Sequence, residues 1–465
     1  MNPARTLAMA GVTHSVLMEH LMADGNEAAA ILVCAPSPGP RDRLVVRQAI
    51  LVPHDACPVR KPDQIVWPGS YIEDAIEVAE PEGLVVVLIH SHPGGWLQFS
   101  RVDDESDHKV IPSIFEAFGH CHGSAIMTPD GAVRARLYYP DMTSRPVDLV
   151  TVAGDDVGLW WNDLIVDGVP AARPLAFSGG MTNELSRLAA AVVGVSGTGS
   201  IVSEQVARLG FGSVTLIDPD KVERKNLNRI LNSTSKDADM GVAKVDMFAA
   251  AIADHRGDGV ALGIADTLGT REAIETVGQC DVVFSCVDSK EGRMYADLIA
   301  SAFLLPLFDV GVTIPTSGNE GKVSITDVCG RIDYVQPGGS TLSDRGVYTP
   351  EGLRAEHLRR VDPEAYRDEL AAGYIKGIHE EAPSVITLNM RAGSALVTEF
   401  IARAFPYRHE PNRNYARSEF SLAACDEENY SEDEFQTKEN PLLGRGAAEP
   451  LLGLPQFQLP KKAAA

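Results

Sequence analysis

Two histidines one residue apart, His90 and His92, close an apolar run that reads Leu84-Val-Val-Val-Leu-Ile89. On a strand, residues i and i+2 project from one face, so both imidazoles can reach one cation. Pro93-Gly94-Gly95 turns the chain directly afterwards, and Asp103 returns a carboxylate as a third ligand. Two histidines and an aspartate around an open position filled by water make a catalytic zinc site. Ser100 and Asp103 also have the Ser-x-x-Asp spacing of a capping box, which would start a helix at Arg101 and aim the carboxylate inward. His120-Cys121-His122 offers ligand types without a matched carboxylate and reads as structural.

A second constellation lies further along. Ala191-Val192-Val193 feeds the turn Gly194-Val195-Ser196-Gly197-Thr198-Gly199, a helical pattern follows, and the strand Val214–Ile217 ends at Asp218. Glycines let backbone approach phosphate oxygens, and the helix N-terminus adds unpaired N–H groups with partial positive charge. Asp218 stands where a carboxylate accepts hydrogen bonds from ribose hydroxyls. A dinucleotide dehydrogenase would show the same fingerprint. Beyond it, however, come Asp220, Asn226, Arg229 and Lys244, then the strand Val282–Phe284 and Asp288. An NAD site needs no such cations. An ATP site does, because three phosphates must be neutralised and an acid must hold Mg²⁺.

This second set resembles the ThiF/MoeB/HesA adenylating family, whose fold is shared with ubiquitin-activating enzymes. The resemblance runs from the glycine turn to a helix at Ser394–Phe405. It implies that Gly194, Gly197 and Gly199 line the phosphates and that Asp218 holds the ribose. It further implies that Asn226, Arg229 and Lys244 contact the triphosphate and that Asp288 binds magnesium. Ser196 stands where the family usually has a glycine, and the Arg229–Lys244 spacing is about two residues longer than usual. An arginine upstream of the turn, Arg173 or Arg187, is implied to reach the ATP site of a partner subunit, which makes a homodimer through this domain the expected assembly. The first set resembles the JAB/MPN (JAMM) metalloprotease motif: His-x-His, seven residues, Ser, two residues, Asp. That family hydrolyses bonds after the C-terminal glycine of ubiquitin-like proteins. The resemblance implies a proton-shuttling glutamate at Glu27, with Glu19 the alternative, and Ser100 as donor to the oxyanion.

The elements that must position these groups read as α/β throughout. An N-terminal α+β domain of the JAB/MPN (cytidine-deaminase-like) type is expected over 1–165, and a Rossmann-like ThiF-type domain over 170–410. Within the first, a helix is expected over 12–24, strands over 28–34, 44–52 and 84–89, and a helix near 71–80. Strands near 123–128 and 132–139 would finish that domain before a Pro- and Trp-containing connector. A helix over 184–190 would precede the glycine turn. Residues 351–376 read as a charged helical insertion. The chain from 411 to 465 turns acidic, then Pro/Gly/Leu-rich, and reads as a disordered tail.

A net charge of −23 argues against a nucleic-acid phosphate binder. No membrane span and no cleavable leader are evident. Seven scattered cysteines without a CxxC pair fit a reducing cytoplasm. Cys280 and Cys286 flank an apolar strand and read as core. The loop Gly338–Gly346, where thioester-forming relatives carry cysteines, has none, and Cys329 is the nearest candidate. The leading expectation is a bifunctional enzyme of a bacterial ubiquitin-like system using Zn²⁺, ATP and Mg²⁺, with a conjugating enzyme as a further partner. The alternatives are activation of a sulfur-carrier protein and a catalytically dead scaffold.

Overall fold

The computed structural model describes residues 2–317, 324–371 and 385–459. The chain divides into two compact units. One comprises Pro3–Pro174 together with Ser301–Leu305 and the chain from Asn440 on; the other comprises Met1–Asn2, Leu175–Ala300 and Pro306–Glu439. No described helix is long and apolar enough to cross a membrane.

The unit holding the histidines is built on one nine-stranded sheet. In spatial order its strands are Val157–Trp161, Leu149–Ala153, Arg5–Ala10, Asp42–Leu51, Ala29–Ser37, Val85–Ser91, His122–Met127, Val133–Tyr138 and Ser144–Pro146. The central pair, Ala29–Ser37 and Val85–Ser91, is apolar on both faces because helices cover both sides. Gly11–Leu21 buries Leu17 and Leu21 among Leu32, Val87 and Ile89. On the opposite face, Ser70–Ala79 and Arg101–Ala117 contribute Ala75, Ala79, Ile111 and Ile114, which pack with Ile31, Val33 and Val86.

The other unit carries an eight-stranded sheet with the order Ala261–Ile264, Ser213–Ile217, Ala189–Val193, Val282–Ser285, Leu307–Thr313, Cys329–Val335, Arg417–Ser421 and Asp426–Tyr430. Its first five strands pair in parallel, with Val193 level with both Ile217 and Ser285. The strand order reverses about Ala189–Val193, which opens a crevice at the carboxyl ends of the strands. Helix Ile386–Ala404 covers one face through Leu388, Leu396 and Phe400.

Several expectations are corrected here. The first sheet does not finish near 139: Leu149–Ala153 pairs in parallel with Arg5–Ala10, itself an unforeseen strand. The helix before the glycine turn is Gly179–Leu185, and Ala189–Ala190 belong to the strand instead. The stretch 411–465 is not a disordered tail over its described residues. Arg417–Ser421 and Asp426–Tyr430 extend the second sheet. Just beyond them two acids are paired: Glu432 with Arg345 from outside the stretch, at 2.8 Å, and Asp433 with Arg413 from its beginning. Further on, Gly444 and Gly446 donate their N–H groups to the carbonyls of Ser301 and Ala302. Gly444 lies so close to the Asp42–Leu51 strand that a Cβ there would stand 2.5 Å from the Val46 carbonyl oxygen. Part of the charged insertion falls outside the described residues; the rest forms helices Pro350–Val361 and Pro363–Ala371.

Candidate active sites

His90, His92 and Asp103 converge. One ligand atom from each lies within 4.8 Å of the others, and no other such group of three occurs among the described residues. His90 Nε2 stands 3.1 Å from His92 Nε2 and 3.1 Å from Asp103 Oδ1, while His92 Nε2 is 3.5 Å from Asp103 Oδ2. These separations suit ligands sharing one zinc ion at their usual bond lengths. Nδ1 of His92 lies 2.7 Å from the Trp96 carbonyl. That bond puts the ring proton on Nδ1 and leaves the Nε2 lone pair for a metal.

The capping box performs the aiming. Ser100 Oγ accepts from the Asp103 amide at 3.2 Å, and Asp103 Oδ2 accepts from the Ser100 amide at 2.6 Å. Asp103 is thereby fixed in the first turn of Arg101–Ala117 with Oδ1 directed at His90. Burial pushes the Asp103 carboxyl up, but hydrogen bonds from His90 and His92 outweigh it and hold the group well below the usual carboxylate range. The Ser100 oxygen is used as acceptor, so its hydroxyl proton remains available for donation.

Strand register places Glu27. Ala29 pairs with His90 across the antiparallel ladder. The next step is closed by Ser91 N–H to the Ala28 carbonyl at 2.9 Å and Ala28 N–H to Ser91 Oγ at 2.8 Å. One further step sets Glu27 opposite His92, on the face the histidines share. Glu27 is 8 % exposed. Burial raises its carboxyl above the ordinary range, opposed by the nearby His90 and His92. His122 of the second cluster lies elsewhere, with Nδ1 accepting from the Val86 amide and Nε2 at 3.0 Å from the Phe118 carbonyl. Trp96 is half exposed and lies over Gly168, while Phe99 stacks under the Arg136 guanidinium.

In the other unit, Gly194 adopts φ +85° directly after its strand, where a Cβ would come 2.9 Å from the Cys286 carbonyl oxygen. The Val195 amide then donates to Asp218 Oδ2 at 2.7 Å. Gly199 touches the turn itself, since a Cβ there would overlap the Gly194 carbonyl. Ser196 sits at φ −101°, so the position needs no glycine, and its side chain does not cap the helix. The first-turn N–H groups of Gly197–Leu209 are left for a ligand. Asp218 is buried, accepts the Asp220 amide at 2.9 Å on its second oxygen and lies 3.4 Å from Lys244 Nζ. Burial raises the Asp218 carboxyl, against the pull of Lys244 and the two amides. Lys244 Nζ is held most tightly by Asp220, at 2.7 Å, a partner that the sequence did not single out.

Asn226 is buried, with its amide oxygen taking the Glu223 N–H at 3.0 Å. Arg229 is half-buried and bonds to the Lys225 carbonyl at 2.9 Å. Asp288 is exposed on the loop between Val282–Ser285 and helix Lys290–Phe303. The structure thus gathers the glycine turn, Asp218 and Lys244 into one contact set. Asn226, at the end of the short 3-10 helix Arg224–Asn226, and Arg229 and Asp288, on loops, follow the carboxyl ends of the same parallel strands. A single carboxylate on such a rim suits Mg²⁺, which usually takes one or two carboxylates and completes its shell with phosphates and water. Arg173 is exposed and Arg187 half-buried, on either side of helix Gly179–Leu185. Cys329 opens its strand with its thiol raised by burial and by Asp327 and Glu419, and is not a poised thiolate.

Comparison with known proteins agrees with this division. Residues 172–419, more than half of the chain, match the ThiF family, and residues 11–138 match the prokaryotic homologs of the JAB domain. Ubiquitin-like modifier-activating enzyme 5 of Caenorhabditis elegans is 32 % identical over 189 residues, which is 37 % of this chain and 42 % of that protein. The Bombyx mori protein of the same name is 31 % identical over 191 residues, 38 % of this chain and 45 % of that one. The chain therefore spans less than half the length of these relatives. Among solved structures, E. coli MccB with succinimide aligns at a TM-score of 0.42 and 14 % identity, covering 57 % of this chain and 68 % of that one. With the matched segment spanning the glycine turn, Asp218, Lys244 and Asp288, the chain belongs to the ThiF family, carried here behind a domain of the prokaryotic JAB type.

Proposed function

We propose that the chain carries two catalytic heads for one kind of substrate, a ubiquitin-like or sulfur-carrier protein ending in glycine. The JAB-type unit hydrolyses the bond after that glycine, and the ThiF unit adenylates the freed carboxylate. The observation carrying this reading is the convergence of His90, His92 and Asp103 opposite a buried Glu27, on the same chain as the Gly194 turn and Lys244.

His90, His92 and Asp103 would hold zinc. Zinc, when bound, supplies a Lewis acid and lowers the pKa of water. Glu27, whose proton affinity is raised by burial, takes the proton released as water adds to the carbonyl and returns it to the leaving amine. Ser100 donates its hydroxyl to the oxyanion of the tetrahedral intermediate. The C–N bond breaks, a C–O bond forms, and the proton passes by way of Glu27 to the amine. In the second head, the substrate carboxylate attacks the α-phosphorus of ATP and pyrophosphate leaves. Lys244, Arg229 and the amides at the start of Gly197–Leu209 neutralise phosphate charge, Asp218 orients the ribose, and Asp288 holds Mg²⁺. Such a reaction needs positioning and charge neutralisation without a protein nucleophile. The unactivated Cys329 thiol supports an acyl-adenylate, handed to a conjugating or sulfur-donating partner, as the product. A homodimer would bring Arg173 or Arg187 of one subunit to the other's nucleotide.

ATP–pyrophosphate exchange is expected only when a glycine-ended ubiquitin-like protein is added, and it should vanish in Asp288→Ala. Glu27→Ala should abolish cleavage of a fusion to that glycine while retaining zinc. Exchange that persists in Asp288→Ala, or loss of zinc from Glu27→Ala, contradicts the assigned roles.

A further inference from the structure

Helix Pro350–Val361, within the charged insertion, bears on the loop that carries Asp288. Glu356 on this helix accepts the Lys290 amide at 3.2 Å through Oε1 and the Glu291 amide at 2.8 Å through Oε2. These are the first N–H groups of helix Lys290–Phe303, which begins two residues after Asp288. The next amide, Gly292, is taken by Ser289 Oγ at 3.1 Å. Arg293 contacts the other side of the loop: Nη1 lies 3.4 Å from the Asp288 carbonyl, while Nη2 reaches the Val310 carbonyl and Nε pairs with the buried Asp309. The short segment from Asp288 to Glu291 is therefore gripped at both ends, at the Asp288 carbonyl by Arg293 and at the Lys290 and Glu291 amides by Glu356. One grip is anchored in the sheet, and the other is a carboxylate brought from a separate helix.

The second grip has further support. Arg360, one turn after Glu356, pairs with Glu291. Gly352 approaches Lys290 so closely that a Cβ would stand 2.5 Å from Nζ. An isolated helix start is capped from within its own chain segment. A cap supplied by Glu356 instead makes the setting of this loop conditional on the seating of another helix.

We infer that Glu356 is a positioning residue for Asp288: it fixes the loop that presents the magnesium-binding carboxylate, so seating of Pro350–Val361 and grip on the Mg²⁺–ATP complex are linked. This rests on the assignment of Asp288 to magnesium made above. By linkage, whatever loosens the helix weakens magnesium-dependent nucleotide binding, and bound Mg²⁺–ATP steadies the helix in turn.

The test is calorimetric titration of the full-length chain with ATP, once with excess Mg²⁺ and once with EDTA. The readout is the ratio of the two dissociation constants. Glu356→Gln keeps the size of the side chain but removes its charge and one acceptor. It should cut the magnesium gain by roughly three- to tenfold, near the lower end of losses from removing a metal ligand's outer support. The EDTA value should stay at wild type, and Glu356→Asp should fall between the two. A wild-type ratio in Glu356→Gln overturns the inference. Equal losses with and without Mg²⁺ also overturn it, since they mark a general structural role. If Asp288→Ala keeps the wild-type ratio, the magnesium assignment itself fails, and this inference falls with it.

Discussion

Lys244 shows how much one side chain is asked to do. Its ammonium is nearly fully buried between Asp218 and Asp220. Lys244→Met keeps the length of the side chain and removes its charge, leaving the buried Asp218 without its cation. Because Asp220 can turn to water, the loss of stability should reach only about 2–3 kcal/mol, near the low end for breaking a buried pair. A urea unfolding midpoint will read it, and ATP binding should be lost in the same variant. His92 sets a pH dependence. Burial lowers its pKa, but the hydrogen bonds its ring donates to Asp103 and to the Trp96 carbonyl outweigh that and leave it raised. Zinc needs the neutral ring, so a proton must be displaced. Zinc affinity should therefore fall as pH drops through that raised value, and a chelator-competition titration across mildly acidic pH would record it. Most of these residues were visible in the sequence because their spacing is local. Asp220 was passed over as a Lys244 partner because nothing in a linear motif shows which carboxylate a distant lysine will meet.

At the scale of elements, the capping box and the glycine turn make the sharpest cases. Ser100→Ala removes the cap of Arg101–Ala117, which costs about 1 kcal/mol. It leaves the Ser100 amide on the Asp103 carboxylate but releases the Asp103 backbone N–H, which loosens the turn that presents the ligand, so zinc affinity should drop modestly, while Ser100→Thr should restore both. Gly199→Ala would force a methyl into the Gly194 carbonyl, and a destabilisation of several kcal/mol is expected in thermal melts. Helix Lys290–Phe303 buries Asp297 beside Tyr348, and burial pushes that carboxyl up to about 6. The folded chain then holds this proton more tightly than the unfolded one. The contribution is fully present below the ordinary value near 4 and is lost as pH rises toward 6, at most about 3 kcal/mol. Asp297→Asn should flatten that slope in stability measured between these pH values. Elements were legible where their partners are near in sequence, as in the capped helix after Ser100. The strand Leu149–Ala153 was not, because its ladder partner Arg5–Ala10 lies at the other end of the unit. Ala189 and Ala190 favour a helix on propensity, yet parallel neighbours on both sides draw them into the sheet.

For the whole molecule, two separate cores predict two separate responses. The chain should not melt as one two-state system. Calorimetry with added zinc should raise one transition, and Mg²⁺–ATP should raise the other, each by ligand linkage. A single transition moved equally by both ligands would contradict independent cores. The division itself was readable from the order of the motifs. The fate of the last fifty or so residues was not, because acidic composition predicts disorder only when no arginine elsewhere meets the charge. Arg345, from outside the stretch, meets Glu432, and Arg413, from its own beginning, meets Asp433.

The return of the chain from Asn440 onward to the histidine-bearing unit makes the connector before Leu175 only one of several covalent ties. A protease that nicks this connector should leave a particle that still runs as one species on a native column and separates only in denaturant. By the same reasoning, a gene fragment ending at Pro174 lacks a piece of its own fold, and it should be less soluble than the intact chain.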